Sequence, residues 1–278
     1  MIGDVARILR LGAVSYLNVR PLVDGLDAIP DRVRLRFDVP SLCARLLEDG
    51  AIDLGMVPSI THTDRPGDRI VPGVCIGSEG PVASVAIFTR VPMARIRSLA
   101  LDTSSRTSVA LARILCARRW VCDPVLIPHA PDLPSMLAAA DAAVLIGDPA
   151  LFADAASPRV EKIDLGAVWT EMTGLPFVWA FWAGRAGAVD GDDVALLQSA
   201  ARRGATRSDA IAAAYCAAEP GRIRLAQRYL RENMRFDLDD RALAGLRTYY
   251  REAASLGLAA ERDSLEFFAA PVAAPEVR

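Results

Sequence analysis

Two short polar segments of this sequence carry the side chains best suited to binding an anion. Residues Thr103–Ser108 read TSSRTS, and residues Ser15–Asn18 read SYLN. Each segment follows an apolar run that predicts a strand and precedes a predicted helix. A helix N-terminus offers free backbone N–H groups and a partial positive charge, so hydroxyls beside it suit a carboxylate or a phosphate. The alternative is that these side chains only cap helices, and for TSSRTS we predict both roles together.

Further side chains are predicted to reach the same region, each with a structural alternative. Ser59 and Asp148 close predicted strands and are either ligand contacts or turn residues. Ser84 lies in an apolar stretch, where its hydroxyl needs a hydrogen bond to the backbone or to a ligand. Arg106 can pair with a carboxylate, and a surface position fits the sequence equally well. Four aromatic residues either line a pocket for a ring or belong to the core, and they are Tyr16, Phe177, Trp179 and Trp182.

The elements that would position these residues follow one order twice. Residues 10–57 and residues 98–146 each read as strand, helix, strand, helix, strand. Parallel strands need crossovers of this kind, so each half predicts a small, mostly parallel sheet with flanking helices. Gly80–Arg90 and Leu175–Gly184 are apolar and extended, which predicts two strands that cross between lobes at a hinge. Ligands of open α/β sheets bind beyond the carboxyl ends of the strands, so the polar segments should meet in one cleft.

The predicted fold class is therefore α/β with two lobes. Lobe 1 is predicted to contain residues 1–88 and 183–278, and lobe 2 residues 89–182. Three helical segments after Gly187 are predicted to return to lobe 1, and they are Asp192–Ala218, Gly221–Glu232 and Asp239–Leu256.

Composition excludes several classes of function. The net charge is −2 and the arginines are scattered, so we expect no nucleic-acid partner. Five cysteines without regular spacing and two histidines predict neither a disulfide framework nor a metal site. No GxSxG, P-loop or GxGxxG motif is present, and we expect no cofactor. The sequence shows no membrane-spanning run and no secretory signal, which predicts a cytoplasmic protein.

Six motifs occur in the same order as in a known family. They resemble the chorismate dehydratases of the futalosine route to menaquinone, and the resemblance runs from about Leu9 to Trp182. It implies the type II periplasmic-binding-protein fold, in agreement with the duplicated pattern. The motifs are VSYLNVRPL (Val14–Leu22), DLGMVPS (Asp53–Ser59), GPVASV (Gly80–Val85), DTSSRTSVAL (Asp102–Leu111), LIGDPAL (Leu145–Leu151) and DLGAVWTEMTGLPFVWAFW (Asp164–Trp182).

The resemblance implies a carbon–oxygen lyase that converts chorismate to 3-[(1-carboxyvinyl)oxy]benzoate and water. Asn18 and Ser84 match family positions, and we expect them to be the catalytic contacts to the reacting region. A carboxylate of the substrate is expected to act as the base, which explains the missing histidine. The expected substrate-binding residues are Ser15, Tyr16, Ser59, Ser104, Ser105, Arg106, Thr107, Ser108 and Asp148.

Three other functions fit a fold of this kind. A non-catalytic solute receptor for a small carboxylate would carry an export signal, which the visible N-terminus lacks. A later enzyme of the same pathway is expected to carry a different N-terminal motif and a histidine base. An effector domain of a transcription factor needs a DNA-binding segment before the first strand, and the roughly nine residues that precede that strand are too few for one. A chorismate dehydratase is the preferred prediction, as a monomer or a homodimer.

Overall fold

Two sheets form the centre of the computed structural model, which describes residues 7–38, 40–153, 160–262 and 264–270. The strands of the first sheet are β1 (Leu9–Val14), β2 (Val33–Asp38), β3 (Leu54–Pro58), β4 (Asp68–Ile70), β5 (Ile76–Ser78) and β11 (Phe177–Arg185). The strands of the second sheet are β6 (Val85–Thr89), β7 (Ser98–Asp102), β8 (Val125–His129), β9 (Ala142–Ile146) and β10 (Glu161–Asp164).

The duplicated pattern of the sequence is confirmed by the order of the strands. The first sheet runs β2-β1-β3-β11-β4, with β5 also paired to β11, and the second runs β10-β6-β9-β7-β8. In each sheet three parallel strands from one half are joined by a long antiparallel strand, which is β11 beside β3 and β6 beside β9. The predicted α/β class with two mostly parallel sheets is therefore correct.

The two strands that were predicted to cross between the lobes each belong to a single sheet. All of β6 pairs within the second sheet and all of β11 within the first, so boundaries at 88/89 and 182/183 would cut through both strands. The chain passes between the sheets just before each strand, next to Gly80 and Gly174, which have φ of 82° and 70°. The apolar runs could not show this, because a buried strand looks the same in either sheet. The lobe division stays a prediction, and the pairing favours crossovers at 79–84 and 174–176.

Helices cover both sheets. In chain order they are α1 (Pro40–Glu48), α2 (Arg106–Leu115), α3 (Leu133–Ala139), α4 (Gly147–Leu151), α5 (Leu165–Thr173), α6 (Gly191–Thr206), α7 (Ser208–Tyr215), α8 (Ile223–Arg228) and α9 (Asp240–Ser255). Short 3₁₀ helices cover Leu17–Val23 and Ser59–Asp64, and a π-helical turn, Tyr229–Asn233, continues α8. The C-terminal helices return to the first sheet as expected, since α6 packs on Leu17–Val23 and α9 on β11. Helix α9 also contacts α2, and so links the two halves.

Helix α6 approaches the Leu17–Val23 segment most closely at Gly204. A Cβ atom at this position would lie 2.0 Å from the carbonyl oxygen of Pro21. We expect Gly204→Ala to lower the free energy of unfolding by about 2 kcal/mol, because the two backbones must separate. Denaturant titration measures the change. Gly221→Ala is the matched control, since no atom lies within 4 Å of its Cβ position. Equal stability of the two variants would contradict the predicted clash.

Candidate active site

A narrow cleft lies between the two sheets, where the polar segments of both halves meet. Its volume is about 80 Å³, and its walls come from β1, the Leu17–Val23 helix, the residues before β6, the start of α2 and β11. Part of this lining consists of residues that were predicted from the sequence, and their binding roles stay predictions. The predicted residues that the structure brings together are Tyr16, Asn18, Ser84, Ser104, Ser105, Thr107, Ser108 and Trp179.

Four other predicted binding residues, Ser15, Ser59, Arg106 and Asp148, lie outside the cleft lining. The Ser59 hydroxyl is buried and donates a hydrogen bond to the carbonyl oxygen of Val178 at 2.8 Å. Arg106 is exposed and forms an ion pair with Asp64 at 2.9 Å, and Ser15 is exposed as well. Polar residues at strand ends look alike in the sequence whether they face a cleft or a neighbouring element. Binding by these four stays a prediction, which their contacts do not favour.

Asp148 instead joins the two halves beside the cleft. Its Oδ1 accepts a hydrogen bond from the backbone N–H of Leu17 at 3.1 Å, and its Oδ2 accepts one from the Tyr215 hydroxyl. Burial raises the pKa of this carboxyl group, and these hydrogen bonds oppose the rise. Next to it the Tyr16 ring rests on Gly147, where a Cβ atom would lie 2.9 Å from the ring. These contacts hold the Leu17–Val23 helix against the second half.

Asn18 is held by its neighbours in the Leu17–Val23 helix. Leu17 and Val19 are buried in the core, and Asn18 between them lies along the cleft. Its Oδ1 atom is buried and has no hydrogen-bond partner among the described residues. An unsatisfied buried acceptor costs about 1–3 kcal/mol, and a donor on a ligand would remove that cost. Asn18 therefore offers the cleft a free hydrogen-bond acceptor.

Ser84 also lines the cleft, immediately before β6, and is 2% exposed. Its Oγ is 2.8 Å from the hydroxyl of Tyr229, which is 1% exposed. Burial raises the pKa of the Tyr229 phenol above its usual value, and its hydrogen bond with Ser84 opposes the rise. Tyr229 was not predicted from the sequence, because an aromatic residue in a C-terminal helix is typical of the core and the family motifs end at Trp182.

The backbone before Ser84 is strained and tightly held. Ala83 has φ of 61°, in the left-handed region, and the N–H of Ser84 donates to the carbonyl oxygen of Val82 at 2.7 Å. The carboxylate of Asp164 accepts the N–H groups of Val82 at 3.0 Å and of Ala83 at 2.6 Å. Such strain costs about 1–3 kcal/mol and persists only where surrounding contacts impose it. The backbone therefore fixes the direction of the Cα–Cβ bond of Ser84, and the rotamer of its hydroxyl depends on the contacts of that hydroxyl.

Replacing Ala83 with glycine is expected to stabilise the protein. Glycine adopts positive φ without a steric cost, so we expect Ala83→Gly to raise the free energy of unfolding by roughly 0.5–1 kcal/mol despite its larger entropy loss. Ala86→Gly is the matched control within β6, and it should lower the same free energy by about 1 kcal/mol. Denaturant titration compares the two. A loss of stability in Ala83→Gly would show that the positive φ is not strained.

The hydroxyl-rich segment combines helix capping with lining of the cleft. Ser105 caps α2, because its Oγ accepts the N–H of Ser108 at 3.2 Å. The fully buried Asp102 accepts hydrogen bonds from both the N–H and the hydroxyl of Ser104, at 2.8 and 2.6 Å. The Ser104 hydroxyl oxygen can therefore only accept a hydrogen bond from a ligand in the cleft. Thr107 Oγ1 accepts the N–H of Ile60 at 3.3 Å. The predicted cap is confirmed, and fewer hydroxyl protons remain for an anion than the sequence indicates.

Neither histidine lies in the cleft lining. His62 is fully buried in the Ser59–Asp64 helix, with its ring centroid 5.5 Å from that of Phe181 in an edge-to-face contact. Burial lowers the pKa of His62 to about 3, so this side chain is neutral at ordinary pH. His129 is half-buried at the end of β8, with Nδ1 2.7 Å from the carbonyl oxygen of Ala130. The chemistry of the cleft therefore depends on hydroxyl, amide and backbone groups.

Comparison with known proteins identifies similar sequences over most of the chain. A family model described as menaquinone biosynthesis matches residues 9–255. The chorismate dehydratase of Thermus thermophilus is 32% identical over 267 residues, which cover 89% of this chain and 95% of that protein. The chorismate dehydratase of Campylobacter jejuni is 30% identical over 175 residues, which cover 61% of this chain and 64% of that protein.

Solved structures share the fold at low sequence identity. Protein AF1704 of Archaeoglobus fulgidus has a TM-score of 0.72 and 15% identity, over 90% of this chain and 98% of that one. The periplasmic aliphatic sulphonate binding protein SsuA of Escherichia coli has a TM-score of 0.62 and 16% identity, over 98% and 99% of the two chains. This similarity supports the predicted periplasmic-binding-protein-like architecture and indicates the fold alone.

Proposed function

Because this chain belongs to the menaquinone-biosynthesis family, we propose that it is a chorismate dehydratase, which converts chorismate to 3-[(1-carboxyvinyl)oxy]benzoate and water. Two relatives that bear this name support the assignment, one of them aligned over 89% of the chain. The observation that carries the proposal is the Oδ1 of Asn18, which has no partner in the described part of the chain and lies in a cleft that also contains Ser84. The reaction makes the enzyme a carbon–oxygen lyase.

The chemistry needs orientation more than a strong acid or base. A proton leaves the ring carbon that bears the enolpyruvyl ether, and the hydroxyl group leaves the neighbouring carbon, so that one water is lost. The ring becomes aromatic, which supplies the driving force. The protein must hold the reactive conformer, orient the departing hydroxyl and exclude bulk water.

We assign the reacting hydroxyl to Asn18 and Ser84. The free Oδ1 of Asn18 accepts the hydrogen of the ring hydroxyl and so fixes its direction. The Ser84 hydroxyl donates to the same oxygen as it departs with its bonding electrons. The cleft lining contains no aspartate, glutamate, histidine or lysine within the described part of the chain. We therefore assign the role of base to a carboxylate of the substrate itself. The proton that it takes from the ring passes to the departing oxygen, so that water leaves and the carboxylate is restored.

The carboxylates of chorismate require polar groups in the cleft. Ser105, Thr107 and Ser108 lie at the start of α2, where hydroxyls and the helix N-terminus together favour an anion. The cavity of about 80 Å³ is smaller than the roughly 300–1,000 Å³ of ordinary ligand sites. Entry of the substrate therefore requires the walls to separate, and closure then removes water from the reacting groups.

Incubation of the purified protein with chorismate tests the proposal. We expect loss of chorismate and the appearance of an aromatic product that is lighter by one water, followed by ultraviolet absorbance and mass spectrometry. A solute receptor would bind chorismate and return it unchanged. Unchanged chorismate at high protein concentration would therefore contradict the enzymatic assignment.

The compartment and the assembly state belong to the same proposal. We place the reaction in the cytoplasm, supported by five cysteines without a disulfide, which is typical of a reducing compartment. Among the helices that the structure describes, none is long and apolar enough to cross a membrane. A monomer or homodimer, with no cofactor and no nucleic-acid partner, stays the prediction, and light scattering measures the assembly state.

A further inference from the structure

Tyr229 lies behind the cleft wall and contacts Ser84, one of the two residues to which the reaction is assigned. Its side chain is 1% exposed, and it is outside the cleft lining. Its hydroxyl is 2.8 Å from Ser84 Oγ, and this is the only hydrogen bond of the phenol among the described residues.

The hydrogen-bonding capacity of these groups determines which atom donates. A tyrosine hydroxyl has one proton to donate, and leaving that proton unpaired in a buried site costs free energy. Ser84 Oγ is the only hydrogen-bond partner of the Tyr229 phenol among the described residues, so it accepts the phenol proton. Ser84 therefore keeps its own proton for the cleft.

We infer that Tyr229 is a positioning residue, which fixes the Ser84 hydroxyl as a donor toward the substrate. This inference rests on the proposed function, because it gives Ser84 its role in dehydration. Tyr229 touches no reacting atom itself. It orients the Ser84 side chain before the substrate binds, and without it the Ser84 hydroxyl can rotate.

The variant Tyr229→Phe removes only the hydroxyl. We expect kcat for chorismate to fall by about 10- to 100-fold with KM changed less than about threefold, because misplaced groups lose transition-state contacts rather than binding. Tyr250→Phe is the matched control: Tyr250 is 2% exposed, and its hydroxyl donates to the carbonyl oxygen of Ser59 at 2.6 Å. This control should retain wild-type kcat although it loses a buried hydrogen bond of the same kind.

A second comparison separates positioning from a loss of stability. In a Ser84→Ala background, Tyr229→Phe should have little further effect on kcat, because its main target is gone. Multiplicative losses in the double variant, or equal kcat for Tyr229→Phe and Tyr250→Phe, would overturn the inference and leave the proposed function standing.

A crystal structure of Tyr229→Phe gives a readout that does not depend on turnover. We expect the Ser84 side chain to change rotamer relative to the wild type, because it loses its hydrogen-bond partner. If wild-type protein fails to dehydrate chorismate, the proposed function falls and this structure still decides the inference. An unchanged Ser84 rotamer would refute the positioning role in either case.

Discussion

Ser84→Ala is expected to lower kcat for chorismate by about 10²- to 10³-fold, the usual cost of losing one donor to a developing negative charge. The Ser84 hydroxyl is the donor assigned to the departing oxygen, and the strained turn at Ala83 holds it in place. The variant leaves the Tyr229 hydroxyl without its acceptor, so we expect the free energy of unfolding to fall by about 1–2 kcal/mol. Steady-state kinetics and denaturant titration measure the two effects.

A matched serine distinguishes loss of chemistry from loss of a buried hydrogen bond. Ser208 is 5% exposed, and its hydroxyl donates to the carbonyl oxygen of Ala205 at 2.9 Å. Ser208→Ala should therefore show a similar loss of stability with wild-type kcat. The assignment of Ser84 fails if both serine variants turn over chorismate at the same rate.

Asn18→Leu is expected to change activity and stability in opposite directions. Leucine has a similar volume but offers no acceptor to the ring hydroxyl, so we expect kcat to fall by about 10²- to 10³-fold. The wild-type Oδ1 is a buried acceptor that no described residue pairs with, and its removal should stabilise the protein by about 1 kcal/mol. Kinetics and denaturant titration on the same preparation measure both changes.

Asn18→Asp provides the charged counterpart. An aspartate retains an acceptor oxygen, but its negative charge faces a substrate that is a dianion, so KM should rise in addition to any fall in kcat. A leucine variant that is less stable than the wild type and equally active would show that Asn18 is structural. That result would remove the acceptor from the proposed mechanism.

The sequence predicted the architecture well because it depends on a repeated pattern. Alternating and buried strands, separated by helices, indicated two parallel sheets, and the polar segments at strand ends indicated where they meet. Asn18, Ser84 and most of the TSSRTS segment lie in the cleft as expected. Local rules were weaker for helix type: the helix predicted after the SYLN segment is a 3₁₀ helix at Leu17–Val23, which includes Asn18.

The remaining features depend on contacts between distant segments. Arg106 lies in the hydroxyl-rich segment, and only the fold shows that it pairs with Asp64 on the surface. Asp148 follows a strand like a ligand residue, yet it accepts from Leu17 and Tyr215. Tyr229 reads as core, and nothing local indicates that its hydroxyl meets Ser84. Pairwise contacts of this kind leave no periodic signal in a single sequence.

The strand order also has a consequence for synthesis on the ribosome. The second sheet is built from one continuous stretch, whereas the first must wait for β11, which is made after every strand of the second. Until residue 177 has emerged, the β3 edge that β11 will occupy stays open. Open edges invite pairing with other chains. Nascent chains halted before residue 177 should therefore aggregate or recruit chaperones more readily than chains halted after residue 185.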